Sequence, residues 1–216
     1  MKTWIKEHRY CYAVGYMIFY LAAFFLSEQV LEPKYIISCP LDDLIPFDEI
    51  FIIPYCAWYP LLAASWLFTM LTSKEEFQDL CMIMFGGMTL SIVLYWIFPN
   101  GLQLRPAEIP DNLCGKLVRL LHAVDTPGNV CPSIHVSSST AILIVSLRSK
   151  VLKRRPVLKW GTCFVCVLIC LSTMFLKQHS VVDVVCGCLV TTVLSAFTYL
   201  APWRRWMKGT WMEFFL

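Results

Sequence analysis

Six apolar runs divide this chain, at residues 10–27, 49–72, 80–98, 132–147, 160–176 and 180–200, with mostly short polar segments between them. About 20 apolar residues in a helix cross ~30 Å of hydrocarbon. Backbone inside that layer must satisfy its own hydrogen bonds, which a helix does within one segment. The pattern therefore predicts an all-α fold: a polytopic membrane helix bundle with six transmembrane spans. Composition agrees, since 58% of the 216 residues are hydrophobic and 15% are charged, against roughly a quarter charged in soluble domains. Too little chain remains for a separate soluble domain, so residues 1–216 read as one transmembrane domain whose site must be built from span ends and loops. No small-x-small cleavage pattern precedes Ser27-Glu28, which makes the first run a retained span. The net charge of +3 and pI near 8.3 are mild, and topology explains them better than nucleic-acid binding.

Thirteen of the 18 Lys and Arg residues fall in residues 1–9, at Lys74, in residues 148–159 and in the C-terminal tail. By the positive-inside rule these segments are cytoplasmic, as are both termini. The opposite, outer face then carries Lys34, Arg105, Lys116, Arg119 and Lys177. It also carries the acidic loop 28–48, whose Asp42, Asp43 and Asp48 lack ligand-type spacing and are expected to be solvated. Pro54 and Pro60 should kink the second run, residues 73–79 should form a polar turn, and Gly86-Gly87 should mark close helix packing. In the long connection 99–131, Leu113, Leu117, Leu120, Leu121 and Val124 recur at helical spacing opposite Lys116 and Arg119, predicting a helix lying in the interface. Trp203, Trp206 and Trp211 in the tail fit an interfacial anchor. The 11 Cys, among them Cys163, Cys166 and Cys170, read mostly as small apolar fillers. A bond between Cys114 and Cys131 stays open.

The chemistry-bearing stretch is Lys177-Gln178-His179-Ser180-Val181-Val182-Asp183. A His and an Asp four residues apart at a helix mouth share a face, so the carboxylate holds one imidazole nitrogen and frees the other as a nucleophile. A second His opens another run in Pro132-Ser133-Ile134-His135, followed by hydroxyls at Ser137, Ser138, Ser139 and Thr140. Polar groups at span ends also occur as simple interfacial residues; two such sets on one face favour a site. Two imidazoles, cations, hydroxyls and a carboxylate at one surface suit phosphoryl transfer, which needs charge stabilisation at the phosphate oxygens, a nucleophile and an acid. Acyl transfer or proton abstraction would not need so many cations. No Asp/Glu/His set has metal-ligand spacing, so the expected chemistry uses no metal and no cofactor.

At these residues the chain resembles the type 2 phosphatidic acid phosphatase superfamily, whose pattern is Lys-x6-Arg-Pro, then Pro-Ser-Gly-His, then Ser-Arg-x5-His-x3-Asp. The matching segments are 98–106, 132–135 and 172–183. Phe98 stands in place of the Lys, Thr173 in place of the Arg, and Ile134 in place of the Gly. The resemblance implies that His179 is the nucleophile and forms a phosphohistidine, Asp183 orients it, and His135 is the acid for the leaving group. Arg105 and Ser133, with Ile134 in the same motif, would bind the phosphate, and Lys177 is placed to supply a missing cation. It further implies a lipid phosphate or pyrophosphate substrate met at the outer face of the cell membrane. Two alternatives remain: transfer of the headgroup phosphate to an alcohol such as inositol, and a catalytically degenerate or non-enzymatic membrane protein.

Overall fold

Polar punctuation between the apolar runs sets where each helix starts and stops. The computed structural model describes residues 8–216; the basic residues Lys2 and Lys6 lie outside them. A 3-10 turn at Arg9–Gly15 leads into α1 (Tyr16–Val30). The loop after it contributes strand β1 (Tyr35–Ile36) and the single turn α2 (Leu41–Leu44). The second run is broken into α3 (Ile52–Cys56) and α4 (Trp58–Thr72) at Ala57. Pro60, which has no N–H to offer the Cys56 carbonyl, explains the interruption.

Helix α5 (Lys74–Ile97) begins at once, because Ser73 Oγ caps it by accepting from the Glu76 N–H at 3.3 Å. The expected polar turn 73–79 is thus a single capping residue; Glu75 and Glu76 sit in the first turn, where the helix dipole favours acid. Strand β2 (Asn100–Gly101) follows, then the amphipathic helix α6 (Leu113–Val124). Leu113, Leu117, Leu120 and Val124 are exposed along one side while Val118 is fully buried, the arrangement expected of an interfacial helix. Asn112 caps α6, and Gly115 is obligatory there, since a Cβ would lie 1.9 Å from the Pro110 carbonyl oxygen.

The remaining helices are α7 (Ile134–Arg148), α8 (Pro156–Phe175), α9 (Val181–Leu200) and α10 (Trp203–Met207). Five helices are long and apolar enough to cross a membrane: 9–30, 49–72, 74–97, 156–175 and 181–200; the sixth apolar element, α7, is shorter at 15 residues. That shortness goes with position. Helix α7 packs against α8, α5 and α9, and Ser137, Ser138 and Ser139 are buried in those contacts, where small residues let backbones approach. The hydroxyls expected at the site therefore serve packing instead. The other expected mark of close packing, Gly86-Gly87, holds: both glycines meet Leu194 of α9, and Gly87 also meets Ser137.

The polar segments gather at two ends. At one, β1 and β2 pair in parallel, Gly101 bridges Gly128, and the 42–48 loop bonds to the start of α9 and the end of α8. At the other, Glu76 accepts from Ser149 Oγ at 2.6 Å and Arg204 pairs with Asp79 at 2.7 Å. Trp203 differs from the expected anchor: its indole donates to the Thr198 carbonyl and it is buried, leaving Trp206 and Trp211 exposed. Cys114 and Cys131 are both free thiols.

Two glycines test this packing. Gly187 brings α9 onto α7, and a Cβ there would lie 2.9 Å from the Ser133 carbonyl oxygen; at Gly161 nothing lies within 4 Å. Gly187→Ala is expected to cost about 1–3 kcal/mol through overpacking, whereas Gly161→Ala should gain roughly 0.5–1 kcal/mol from helix propensity. Thermal unfolding in detergent, with both variants shifting the same way, would contradict this packing.

Candidate functional site

The end of α8 sets the first catalytic candidate. Lys177 adopts φ 57°, a left-handed conformation uncommon for a residue with a side chain. It closes α8 with the Schellman pattern: Lys177 N–H bonds the Met174 carbonyl, and Gln178 N–H bonds the Thr173 carbonyl at 2.9 Å. The Thr173 carbonyl also accepts from His179 N–H at 3.0 Å. The Lys177 ammonium donates to the carbonyls of Asp42, at 2.6 Å, and Ile45. The cation expected to meet a phosphate is thus spent on fastening the 42–45 loop.

His179 lies before α9, not on its face. Ser180 is the N-cap and Asp183 the third helical residue of a reciprocal capping box. Asp183 Oδ2 accepts from Ser180 N–H at 2.8 Å and faces His179 Nδ1 at 3.3 Å. The pairing read from spacing is therefore real, and capping produces it. With Nδ1 turned to the carboxylate, Nε2 is left for chemistry. Asp183 is fully buried, and its Oδ1 has no hydrogen-bond partner among the described residues.

Asp42 completes this knot. Far from solvated, it is 2% exposed and accepts from Ser180 Oγ at 2.7 Å, Val181 N–H at 2.8 Å and Cys39 N–H at 2.7 Å. Sequence reading missed it because three nearby Asp residues in one polar loop look alike. Burial pushes its carboxyl up, but the hydrogen bonds from Val181, Ser180 and Cys39 together outweigh that and hold it below the ordinary value. Asp42 thus takes the Val181 N–H at the start of α9, while Val182 N–H donates to Ser180 Oγ at 3.2 Å. At the α7 N-terminus, Ser133 Oγ accepts from Val136 N–H at 3.3 Å while the N–H groups of Ile134 and His135 have no partner among the described residues. Ser133 itself is fully buried, and its N–H donates to the Asp183 carbonyl at 3.2 Å, tying the two motifs together.

His135 is wedged between aromatic rings, with centroids 4.7 Å from Tyr55 and 4.4 Å from Trp58, and lies 6.0 Å from the His179 ring. Its Nε2 has no hydrogen-bond partner among the described residues. Both imidazoles line one cavity of about 210 Å³. Arg105 stands beside it, donating to the carbonyls of His122 at 3.2 Å and Asp125 at 2.6 Å and to Gln178 Oε1 at 3.3 Å. Phe98 does not point a polar group here; its ring stacks on Tyr35 at 4.0 Å. Asn100, which the sequence did not single out, holds the segment before Pro132: its Nδ2 donates to the Phe98 and Cys131 carbonyls, and its Oδ1 accepts from Val130 and Cys131 N–H. The structure thus brings together His135, His179, Asp183, Ser133, Ile134 and Arg105, and turns Lys177 toward the loop. No three His, Cys, Asp or Glu among the described residues converge as metal ligands would.

The depressed carboxyl of Asp42 makes a pH prediction. A group whose folded pKa lies below its unfolded value, ordinarily about 3.9, stabilises fully above the unfolded value and loses that contribution as pH falls through the folded one. Asp42→Asn should therefore unfold at lower temperature than the parent near neutral pH, and the gap should narrow as pH falls below about 4. A gap that stays constant from neutral to strongly acid pH would contradict this.

The chain matches the family model described as the PAP2 superfamily over residues 80–207, a stretch that contains Arg105, His135, His179 and Asp183. Among curated proteins and among solved structures, nothing matches. Covering more than half of the chain and every motif of the site, the family match shows that this protein belongs to the PAP2 superfamily.

Proposed function

We propose that the protein is a membrane phosphatase that hydrolyses the phosphate or pyrophosphate ester of a lipid through a phosphohistidine on His179. The observation that carries this reading is the pair of imidazoles at 6.0 Å on one cavity, one held by a carboxylate and the other without a partner. His179 Nε2 attacks phosphorus, the bond to the leaving oxygen breaks, and His135 gives that oxygen a proton. Water then attacks, His135 takes its proton, and the P–N bond breaks. Asp183 fixes the tautomer and stabilises the imidazolium as it forms. The free N–H groups of Ile134 and His135 at the α7 N-terminus, with the Arg105 guanidinium, supply positive potential at the phosphate oxygens.

Six crossings are part of the same proposal, with α7 shielded from lipid by its neighbours, both termini in the cytoplasm and the site on the outer face of the cell membrane. The Lys and Arg distribution supports that orientation. Such a site meets membrane lipids at headgroup depth and requires no nucleic acid.

His179→Ala is expected to abolish phosphate release from a lipid phosphate by the purified protein, with its thermal unfolding little changed. Retention of more than about a tenth of the parent rate would rule out the covalent route. Asp183→Asn should be slowed less than His179→Ala, since the nucleophile remains. Activity should persist in EDTA, because protein groups do the work a divalent cation does elsewhere; loss in EDTA with recovery on adding Mg²⁺ would refute the metal-free mechanism.

A further inference from the structure

The cavity that holds the two histidines also has two acidic residues in its wall. Glu28, at the end of α1, and Asp125, just after α6, both line it. Glu28 is steadied by Thr126, whose hydroxyl donates to Oε1 at 2.7 Å. Among the described residues, the Asp125 carboxylate accepts a long hydrogen bond from the Tyr55 hydroxyl, at 3.4 Å. Arg105 stands nearby with its guanidinium already bound to two carbonyls and to Gln178. A second observation points to a ligand. Gln178 also lines the cavity, is 5% exposed, and its Nε2 has no hydrogen-bond partner among the described residues. A buried amide donor without an acceptor is costly. An occupant with an oxygen to accept from Gln178 and hydrogens to give Glu28 and Asp125 would remove that cost and satisfy both carboxylates.

We propose that this cavity is a subsite for the alcohol portion of the phosphoester, and that Glu28 and Asp125 select alcohols bearing further hydrogen-bond donors, hydroxyl or ammonium, over plain or anionic ones. The proposal rests on the phosphohistidine reading and deepens it. His135 lines the same cavity, so the oxygen it protonates on departure, or deprotonates on attack, belongs to the group lying there. Volume agrees: about 210 Å³ is below the size of pockets for drug-sized ligands, which suits a headgroup and leaves acyl chains in the bilayer. The aromatic walls of Trp58, Tyr59 and Tyr20 pack against either a polyol carbon face or an ammonium. An anionic alcohol would meet two carboxylates, and a plain one would leave them and Gln178 unpaired.

The subsite is read by partition of the phosphoenzyme. An alcohol in the cavity attacks phosphorus, His135 accepts its proton, the P–N bond to His179 breaks, and a new phosphoester leaves in place of inorganic phosphate. Full-length protein in detergent would be given a short-chain lysophosphatidate, whose glycerol keeps one free hydroxyl, as donor, with glycerol, ethanolamine, n-propanol or glycolate as acceptor at equal concentration. Mass spectrometry of the products gives the transfer ratio within one sample, so a change in total activity cancels. Glycerol or ethanolamine is expected to capture phosphoryl groups about tenfold or more over n-propanol, the scale of one charge-assisted hydrogen bond, and glycolate least. Whichever of glycerol and ethanolamine leads identifies the donor, and either result supports the subsite. Glu28→Gln and Asp125→Asn together should bring the ratio close to one; the isosteric Glu28→Gln keeps an oxygen for Thr126 and should by itself lower it. A parent enzyme that transfers equally to n-propanol or glycolate, or a double variant that keeps the parent's ratio, would overturn the subsite while phosphate release continued. Absence of release from any lipid phosphate would instead overturn the phosphatase reading and the subsite with it.

Discussion

The site depends on how the first turn of α9 is capped. Ser180 is shared by two buried carboxylates: Asp183 takes its N–H, and Asp42 takes its hydroxyl together with the next N–H in the helix. This arrangement satisfies orphan donors that a helix N-terminus would otherwise leave in an apolar layer, and it fixes the residue immediately before the cap. That residue is His179. Its imidazole is therefore placed by helix-end chemistry, with Asp183 acting both as capping residue and as imidazole partner. Because Asp42 lies 138 positions before Ser180 in the chain, the same bonds tie the 42–48 segment to His179.

The two helix N-termini at this surface do different work. At α9 the N–H groups of Ser180 and Val181 go to the carboxylates of Asp183 and Asp42 and that of Val182 to the Ser180 hydroxyl, so negative charge is already stored there and a phosphate would be repelled. At α7 the N–H groups of Ile134 and His135 remain open, and the helix dipole is directed at the cavity side. Gly187 keeps these two ends close, allowing α9 to touch the Ser133 carbonyl. The short length and buried serines of α7 follow from the same requirement. A longer, bulkier helix would cover more lipid but would hold His135 farther from His179.

Much of this was legible in the sequence. Apolar run length gave the helices, spacing gave the amphipathic α6, and order and motif gave His135, His179 and Asp183. What escaped detection depends on contacts between distant segments. Asp42 and Asp43 differ in sequence only by one position, yet Asp42 alone is buried against α9, which no local pattern encodes. Asn100 stands in a polar connection at a position that no motif specifies, and its four bonds to the backbone of Phe98, Val130 and Cys131 join segments about 30 residues apart. Trp203 carried an interfacial signature but found a carbonyl inside the fold. Lys177 misled for a related reason: a cation two residues from a catalytic His reads as a phosphate ligand, whereas its left-handed backbone directs the ammonium to loop carbonyls.

The distribution of cations links the departures from the family pattern to the acidic cavity. Where the pattern has Lys, Phe98 stacks on Tyr35; where it has Arg, Thr173 contributes a backbone carbonyl that holds Gln178 and His179. Arg105 is the one patterned cation that remains, and it stands near both Glu28 and Asp125, whose charges offset its own. Burial, opposed by His179, Arg105 and Tyr55, pushes the Asp125 carboxyl up, so an unoccupied cavity holds that carboxylate at a cost. A donor-bearing alcohol would relieve it at the same moment as it delivers the phosphoryl group to His179. In the proposed reaction, binding energy from the alcohol would compensate for the two patterned cations replaced by Phe98 and Thr173, which is how remote contacts support a reacting centre.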